Sequence, residues 1–300
     1  MVAPSGAREG ASWSPFAQTL YVVSGANVNR FRPADADAKI EAFRTDAAGA
    51  NGSLVDREGR VIVAEAGARR VTRTEKDGSL TVLAADFDGK RFNSPNDLAI
   101  DAKGRIYFTD PRYGNRQGME ILDAGGKAVE GVYRIDAPGK VVRVLTHEVD
   151  RPNGILIANG GRFIYVADNN NQAGPRKLYR FVLRRDGSID GGSRQVVFDW
   201  KNARGPDGLK TDRRGRLFVA AGLNQPSRYE TTDEFRGGIY ILSPPSATGE
   251  AKLLEFVAIP KDEVTNCAFG DKDLKTLYIT AGDQLWKVRT RSPGRLNFFK

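Results

Sequence analysis

The chain has 300 residues, is 40% hydrophobic and 28% charged, and carries a formal net charge of +9 with a mean hydropathy of −0.44. That length buries a sizeable core, and no apolar run approaches the ~20 residues of a spanning helix, so a soluble protein with no membrane partner is expected. A single cysteine, Cys267, excludes an internal disulfide framework, and a single histidine, His147, disfavours histidine-based nucleophilic triads.

The basic residues are scattered through turns and outer strands, for example Arg57, Lys103, Arg213, Arg214 and Lys272. They form no long basic run and no interleaved aromatic platform, so no nucleic-acid partner is expected, and the positive surface is read as one that attracts anionic substrates. The first eight residues lack the apolar core of a signal peptide. A cytoplasmic location is the default expectation, with a periplasmic or secreted one if the sequence starts at a mature N-terminus.

Taken in order, the chain repeats one unit: a polar head, a short apolar stretch, a turn rich in Asp and Gly, and a β-branched or aromatic run. The first copy is the most worn, with Glu9-Gly10-Ala11-Ser12-Trp13 before residues 19–23. The second has Asn51-Gly52-Ser53-Leu54, the turn Asp56-Arg57-Glu58-Gly59 and residues 60–65, then strands near 70–73 and 80–83. The third, 94–110, is the clearest: Ser94-Pro95-Asn96-Asp97, a turn at Asp101-Ala102-Lys103-Gly104, and Arg105-Ile106-Tyr107-Phe108-Thr109-Asp110. Strands over 131–135 and 140–145 follow.

The fourth copy runs from Pro152-Asn153-Gly154 through 162–168, 177–182 and 194–198, and the fifth from Pro206-Asp207-Gly208 through 216–220, 238–242 and 252–256. The sixth runs from Asn266-Cys267-Ala268-Phe269 through 276–280 and 284–288, with a fourth strand expected from Leu296-Asn297-Phe298-Phe299. Six units of four strands at intervals of roughly 40–60 residues, with no sustained helical period, predict an all-β fold: one six-bladed β-propeller domain over residues 1–300, with four antiparallel strands per blade.

In such a fold the inner-strand heads converge at one mouth of the central channel. Those heads are Glu9, Asn51, Asn96, Asn153, Asp207 and Asn266. Two carboxylates among amides are the oxygen set a hard cation takes, and without a cation their burial would be costly. The competing reading, that Asn-Gly and Asp-Gly are turn dipeptides, weakens with recurrence at the same place in successive units. Loops over 111–130 and 222–236 are long, and contain Tyr113, Asn115, Glu120, Asn224, Arg228 and Tyr229. With the amides of Asp168-Asn169-Asn170-Asn171, they are expected to wall a polar pocket for a sugar-like ring. Cys267 reads as a buried structural thiol and His147 as a surface residue.

Ser94-Pro95-Asn96-Asp97, Arg151-Pro152-Asn153-Gly154, Gly205-Pro206-Asp207-Gly208, the run from Phe108 to Gly114, and Glu9-Gly10 with Trp13 resemble the SMP-30/gluconolactonase/LRE-like family, in matching order over nearly the whole chain. The resemblance implies a six-bladed propeller with one divalent cation at its centre, usually calcium, and hydrolysis of lactones or, in relatives, organophosphates. It implies metal ligands at Glu9, Asn153 and Asp207, with Asn96 a ligand or near neighbour. All-oxygen ligation favours Ca²⁺ over Mg²⁺, Mn²⁺ and, least suited of these, Zn²⁺.

The cation would polarise the lactone carbonyl while a carboxylate activates water. Asp207 is the expected base, with Asp97 or Asp110 in reserve; Asp97 also suits a structural role beside an inner-strand head. Asn96, Arg112, Tyr113, Glu120 and Asn266 are expected to contact a small-molecule substrate. The chain departs from the family at Ala11, where proline is usual, and at Ser94, where vertebrate members carry arginine, so Arg91 or Arg112 is the candidate replacement cation. The alternatives are a phosphotriesterase-like hydrolase, a sugar-acid lyase or isomerase, and a non-catalytic binding propeller, as a monomer or dimer.

Overall fold

The computed structural model describes residues 1–231 and 234–296 and shows six blades around a central axis. Blade one is β1 (Glu9–Ser14), β2 (Thr19–Ser24), β3 (Asn27–Phe31) and β4 (Ile40–Arg44). Blade two is β5 (Ala50–Val55), β6 (Val61–Glu65), β7 (Arg70–Thr74) and β8 (Leu80–Ala84), followed by a small hairpin of β9 (Asp86–Phe87) and β10 (Lys90–Arg91). Blade three is β11 (Leu98–Ile100), β12 (Ile106–Asp110), β13 (Gly131–Ala137) and β14 (Lys140–Leu145). Blade four is β15 (Pro152–Ala158), β16 (Phe163–Asn169), β17 (Arg176–Leu183) and β18 (Ile189–Asp199). Blade five is β19 (Leu209–Thr211), β20 (Leu217–Ala221), β21 (Gly238–Leu242) and β22 (Leu253–Ala258). Blade six is β23 (Val264–Gly270), β24 (Thr276–Ala281) and β25 (Gln284–Arg289).

Blade six therefore has three strands among the described residues, and its outer edge is met from the N-terminus: Ala3 bridges Leu285, with Leu285 N–H donating to Ala3 O at 2.9 Å. Of the C-terminal strand expected there, residues 297–299 lie outside the described residues. The described part of that tail turns elsewhere, with Arg295 N–H donating to Thr211 O at 2.9 Å in blade five.

Successive side chains of a strand point to opposite faces, so each second strand feeds two inter-blade cores. Tyr107 of β12 packs with Ile155 and Phe181 of blade four, whereas Phe108 packs with Ile62 and Val71 of blade two. In β24, Leu277 and Ile279 face blade five and Tyr278 faces Trp13 and Leu20 of blade one. Such double burial makes these strands read as continuous apolar runs, and each fully buried large side chain is worth about 1.5–3 kcal/mol. Cys267 belongs to the core between blades five and six, and burial pushes its thiol up to about 12.

The repeated turns share one device. Asp56, Asp101 and Asp212 each accept backbone N–H bonds at i+2 and i+4 through Oδ1, and each pairs through Oδ2 with the i+4 arginine Nε, at 2.7, 2.6 and 2.8 Å. Part of the scattered positive charge, Arg60, Arg105 and Arg216, is therefore turn chemistry.

Candidate functional site

The inner-strand heads stand at one end of the channel. Register shifts interrupt the inner ladder at Glu9/Ser12, Ala50/Ser53, Pro152/Ile155 and Val264/Asn266. Each is a bulge that re-aims the head side chain toward the axis. Asn96 and Asp207 lie just before the short strands β11 and β19, held by Asn96 N–H to Thr109 O and Asp207 N–H to Ala220 O, both 2.8 Å. The glycine after a head makes room for the next blade: a Cβ on Gly52 would overlap Asn96 O, and one on Gly154 would overlap Asp207 O. Blade three has Asp97 in that place, and its carboxylate accepts Leu98 N–H at 2.8 Å and, across the blade gap, Ile155 N–H at 3.3 Å.

All of these heads but Asn266 line a cavity of 310 Å³, within the range of small-molecule sites. A wider hollow of 520 Å³ at the other end of the inner strands, beside Pro15, Lys272 and Leu274, has no converging inner-strand heads.

Amide orientation sorts the ring. Asn153 donates Nδ2–H to the Tyr113 hydroxyl at 2.7 Å, which leaves its Oδ1 buried and without a partner. Asn96 Oδ1 is likewise buried and unpartnered. Asn266 is turned the other way: Oδ1 accepts Cys267 N–H at 2.9 Å and Nδ2–H points to Glu9 Oε1 at 3.4 Å. Asn153 and Asn96 therefore present acceptors, and Asn266 presents a donor that steadies Glu9.

The carboxylates are strained electrostatically. Burial, then the negative charges of Asp207 and Asp97, hold the Glu9 carboxyl well above its usual range, although Gly10 N–H donates to it at 2.6 Å. Burial pushes Asp207 up to about 6 against the opposing effect of Arg204, whose Nη2–H donates to Asp207 Oδ2 at 2.6 Å. Arg204 Nη1–H is spent on Val264 O at 3.0 Å, and among the described residues Asp207 Oδ1 takes no part in that pairing. Two orphaned amide oxygens beside two carboxylates whose ionised forms burial penalises are a donor set that fits a hard divalent cation. Among the described residues no group of three or more His, Cys, Asp or Glu converges, so an ion here would depend on the amides as well as Glu9 and Asp207.

The structure thus brings together Glu9, Asn96, Tyr113, Asn153 and Asp207 at one cavity, with Asn266 just behind Glu9. It sets other expected residues apart. Both oxygens of Asp110 accept backbone N–H bonds, from Asn93 and Ser94 at 2.8 Å each, so Asp110 clamps the loop leading to Asn96. Asp168 does the same for Asp150 and Arg151 ahead of Asn153. Glu120 pairs with Arg69 and Arg91 at 3.0 and 2.9 Å, and Arg112 donates Nε–H to Asn115 O at 3.1 Å; none of these four lines the cavity. Asn224 is engaged by Asp262. His147 pairs with Asp123 at 2.8 Å on a partly exposed surface.

Several lining residues were not expected from sequence: Arg8, Arg204, Glu230, Glu263 and Thr265. Arg204 stands three residues before Asp207 and Thr265 just before Asn266, so proximity to a head was a usable signal for both. Glu230 lies in the long 222–236 loop, where nothing local marks it over its neighbours. The positive groups lining the cavity are Arg8 and Arg204, where Arg91 and Arg112 had been the candidates.

The chain matches the SMP-30/Gluconolactonase/LRE-like region over residues 7–283. It is 30% identical over 253 residues to the gluconolactonase of Zymomonas mobilis, covering 82% of this chain and 64% of that protein's length. It is 28% identical over 269 residues to regucalcin of Danio rerio, covering 87% and 78%. Among solved structures, the Xanthomonas campestris gluconolactonase XC5397 superposes with a TM-score of 0.74 at 28% identity, covering 98% of this chain and 88% of that one. A fold built from six head-to-axis blades, with the family's motifs lying where those blades converge, places this chain in the SMP-30/gluconolactonase/LRE-like family.

Proposed function

We propose that this protein is a divalent-cation-dependent lactonase that hydrolyses a sugar lactone. The observation that carries the reading is the pair of buried, unpartnered oxygens, Asn96 Oδ1 and Asn153 Oδ1, beside Glu9 and Asp207. Glu9 and these two amide oxygens would hold the cation, with Asp207 alongside as the second negative charge, and this all-oxygen chemistry favours Ca²⁺. A bound cation supplies Lewis-acid polarisation of the lactone carbonyl and compensation of the oxyanion that develops. The relatives named gluconolactonase support the same reaction class.

The chain's own part centres on Asp207. Arg204 occupies Oδ2 and fixes the carboxylate plane, which leaves Oδ1 as the oxygen that accepts a proton from the attacking water. Asp207 holds that proton and delivers it to the ring oxygen as the carbon–oxygen bond breaks, giving the open hydroxy acid. Asp97 and Asp110 each have both oxygens on backbone N–H groups, so neither has an oxygen to spare. Steady-state kinetics of Asp207→Asn on D-gluconolactone test the assignment. Turnover lowered by about 100-fold or more supports it, and near wild-type turnover removes it.

A further inference from the structure

The cavity has a second set of acceptors, apart from those that would hold the cation. Glu230 and Asn169 lie on its wall, 5% and 2% exposed. Glu230 Oε2 accepts from Ser227 Oγ at 3.2 Å, whereas its Oε1, like Asn169 Oδ1, is buried with no partner among the described residues. Two neighbouring guanidinium groups are already committed. Arg176 gives Nε–H to Asn170 O at 3.0 Å and Nη2–H to Gln172 O and Tyr229 O at 2.9 and 2.8 Å, and Arg204 is spent on Asp207 and Val264.

The carboxylate is also held in place before any ligand arrives. Ser227 N–H donates to Glu230 O at 2.8 Å and Glu230 N–H returns to Ser227 Oγ at 3.1 Å, which closes a tight turn, and Arg176 pins the adjacent Tyr229 carbonyl. A fixed, buried acceptor without a donor is destabilising until a donor fills it. Two such acceptors on one wall suit hydroxyl groups.

We propose that Glu230 and Asn169 form the subsite that receives hydroxyl groups of a polyhydroxylated substrate, with Glu230 as a specificity-determining residue. The inference rests on the lactonase reading and narrows its substrate class.

The test compares wild type with Glu230→Met on D-gluconolactone and unsubstituted δ-valerolactone, and measures binding of the open polyol D-glucitol by calorimetry. The expected result is a fall of about 50-fold in the preference for gluconolactone over valerolactone, carried mainly by KM, as for loss of one hydrogen bond to a charged group. Glucitol binding weakens in parallel, and Glu230→Gln, which keeps one carbonyl acceptor, recovers part of both. An unchanged preference with unchanged glucitol affinity overturns the subsite. If wild type opens neither lactone, the lactonase reading fails by itself, and glucitol binding that depends on Glu230 still decides the subsite.

Discussion

Arg204 Nη2 lies 2.6 Å from Asp207 Oδ2, with both side chains about 6% exposed, at the point where blade five enters the channel mouth. The ion pair does two things: it compensates a carboxylate that burial penalises, and it decides which of the two oxygens faces the cavity.

Removing one partner of such a pair leaves an uncompensated buried charge. Arg204→Met is expected to destabilise the fold by about 3–5 kcal/mol in the presence of a chelator, measured by urea denaturation. Added Ca²⁺ should restore part of that loss, because a cation bound only by the native state stabilises it by mass action. Equal losses with and without Ca²⁺ would separate Arg204 from the cation site.

Tyr113 determines which way the Asn153 amide faces, through the 2.7 Å bond from Nδ2–H to its hydroxyl. Tyr113→Phe removes the acceptor and frees the amide to turn. Cation affinity measured by calorimetry is expected to fall about 10-fold, in line with outer-shell partners of metal ligands, with little change in melting temperature.

Gly154 approaches the Asp207 carbonyl so closely that a methyl group cannot be placed there without backbone movement. Gly154→Ala is expected to cost about 3 kcal/mol or to prevent folding. Gly192→Ala, where the added Cβ meets only Asp190 Oδ1 at 3.5 Å, should change stability by less than about 1 kcal/mol. Circular dichroism melts of the two variants check the contrast.

Burial pushes Asp110 up to about 7, with the Asn93 and Ser94 N–H bonds opposing. The native state therefore binds a proton at a pH where the unfolded chain, titrating near 4, has lost it. This contribution to stability is fully present below about pH 4 and is lost as pH rises toward 7. Asp110→Asn is expected to flatten the decline over that interval by an amount on the order of a few kcal/mol, read as the wild-type minus variant difference in unfolding free energy against pH.

The sequence was most legible where the chain repeats itself. Tyr107 and Phe108 belong to two different inter-blade cores, and double burial of that kind writes an unbroken apolar run that can be found six times over. The heads Glu9, Asn96, Asn153 and Asp207 were legible for the same reason, since each recurs at one place in its unit. What was missed depends on geometry that recurrence does not encode. Asp110 looks like a site residue in sequence because it ends a strand beside the site, yet its oxygens are turned to the preceding loop. Arg204 and Glu230 reach the cavity from non-repeated segments. The sixth blade is met by Ala3, through a pairing too short to carry any alternation.

Lactone opening by this protein is proposed to depend on a divalent cation held by the ring of oxygens at the channel mouth. Its most direct test is D-gluconolactone hydrolysis by the chelator-treated protein, titrated with Ca²⁺ while cation binding is followed by calorimetry. Turnover that is absent in the chelated protein and returns in step with one bound cation per chain is the predicted result, whereas full turnover in the chelated protein, or no binding of a divalent cation, would contradict it.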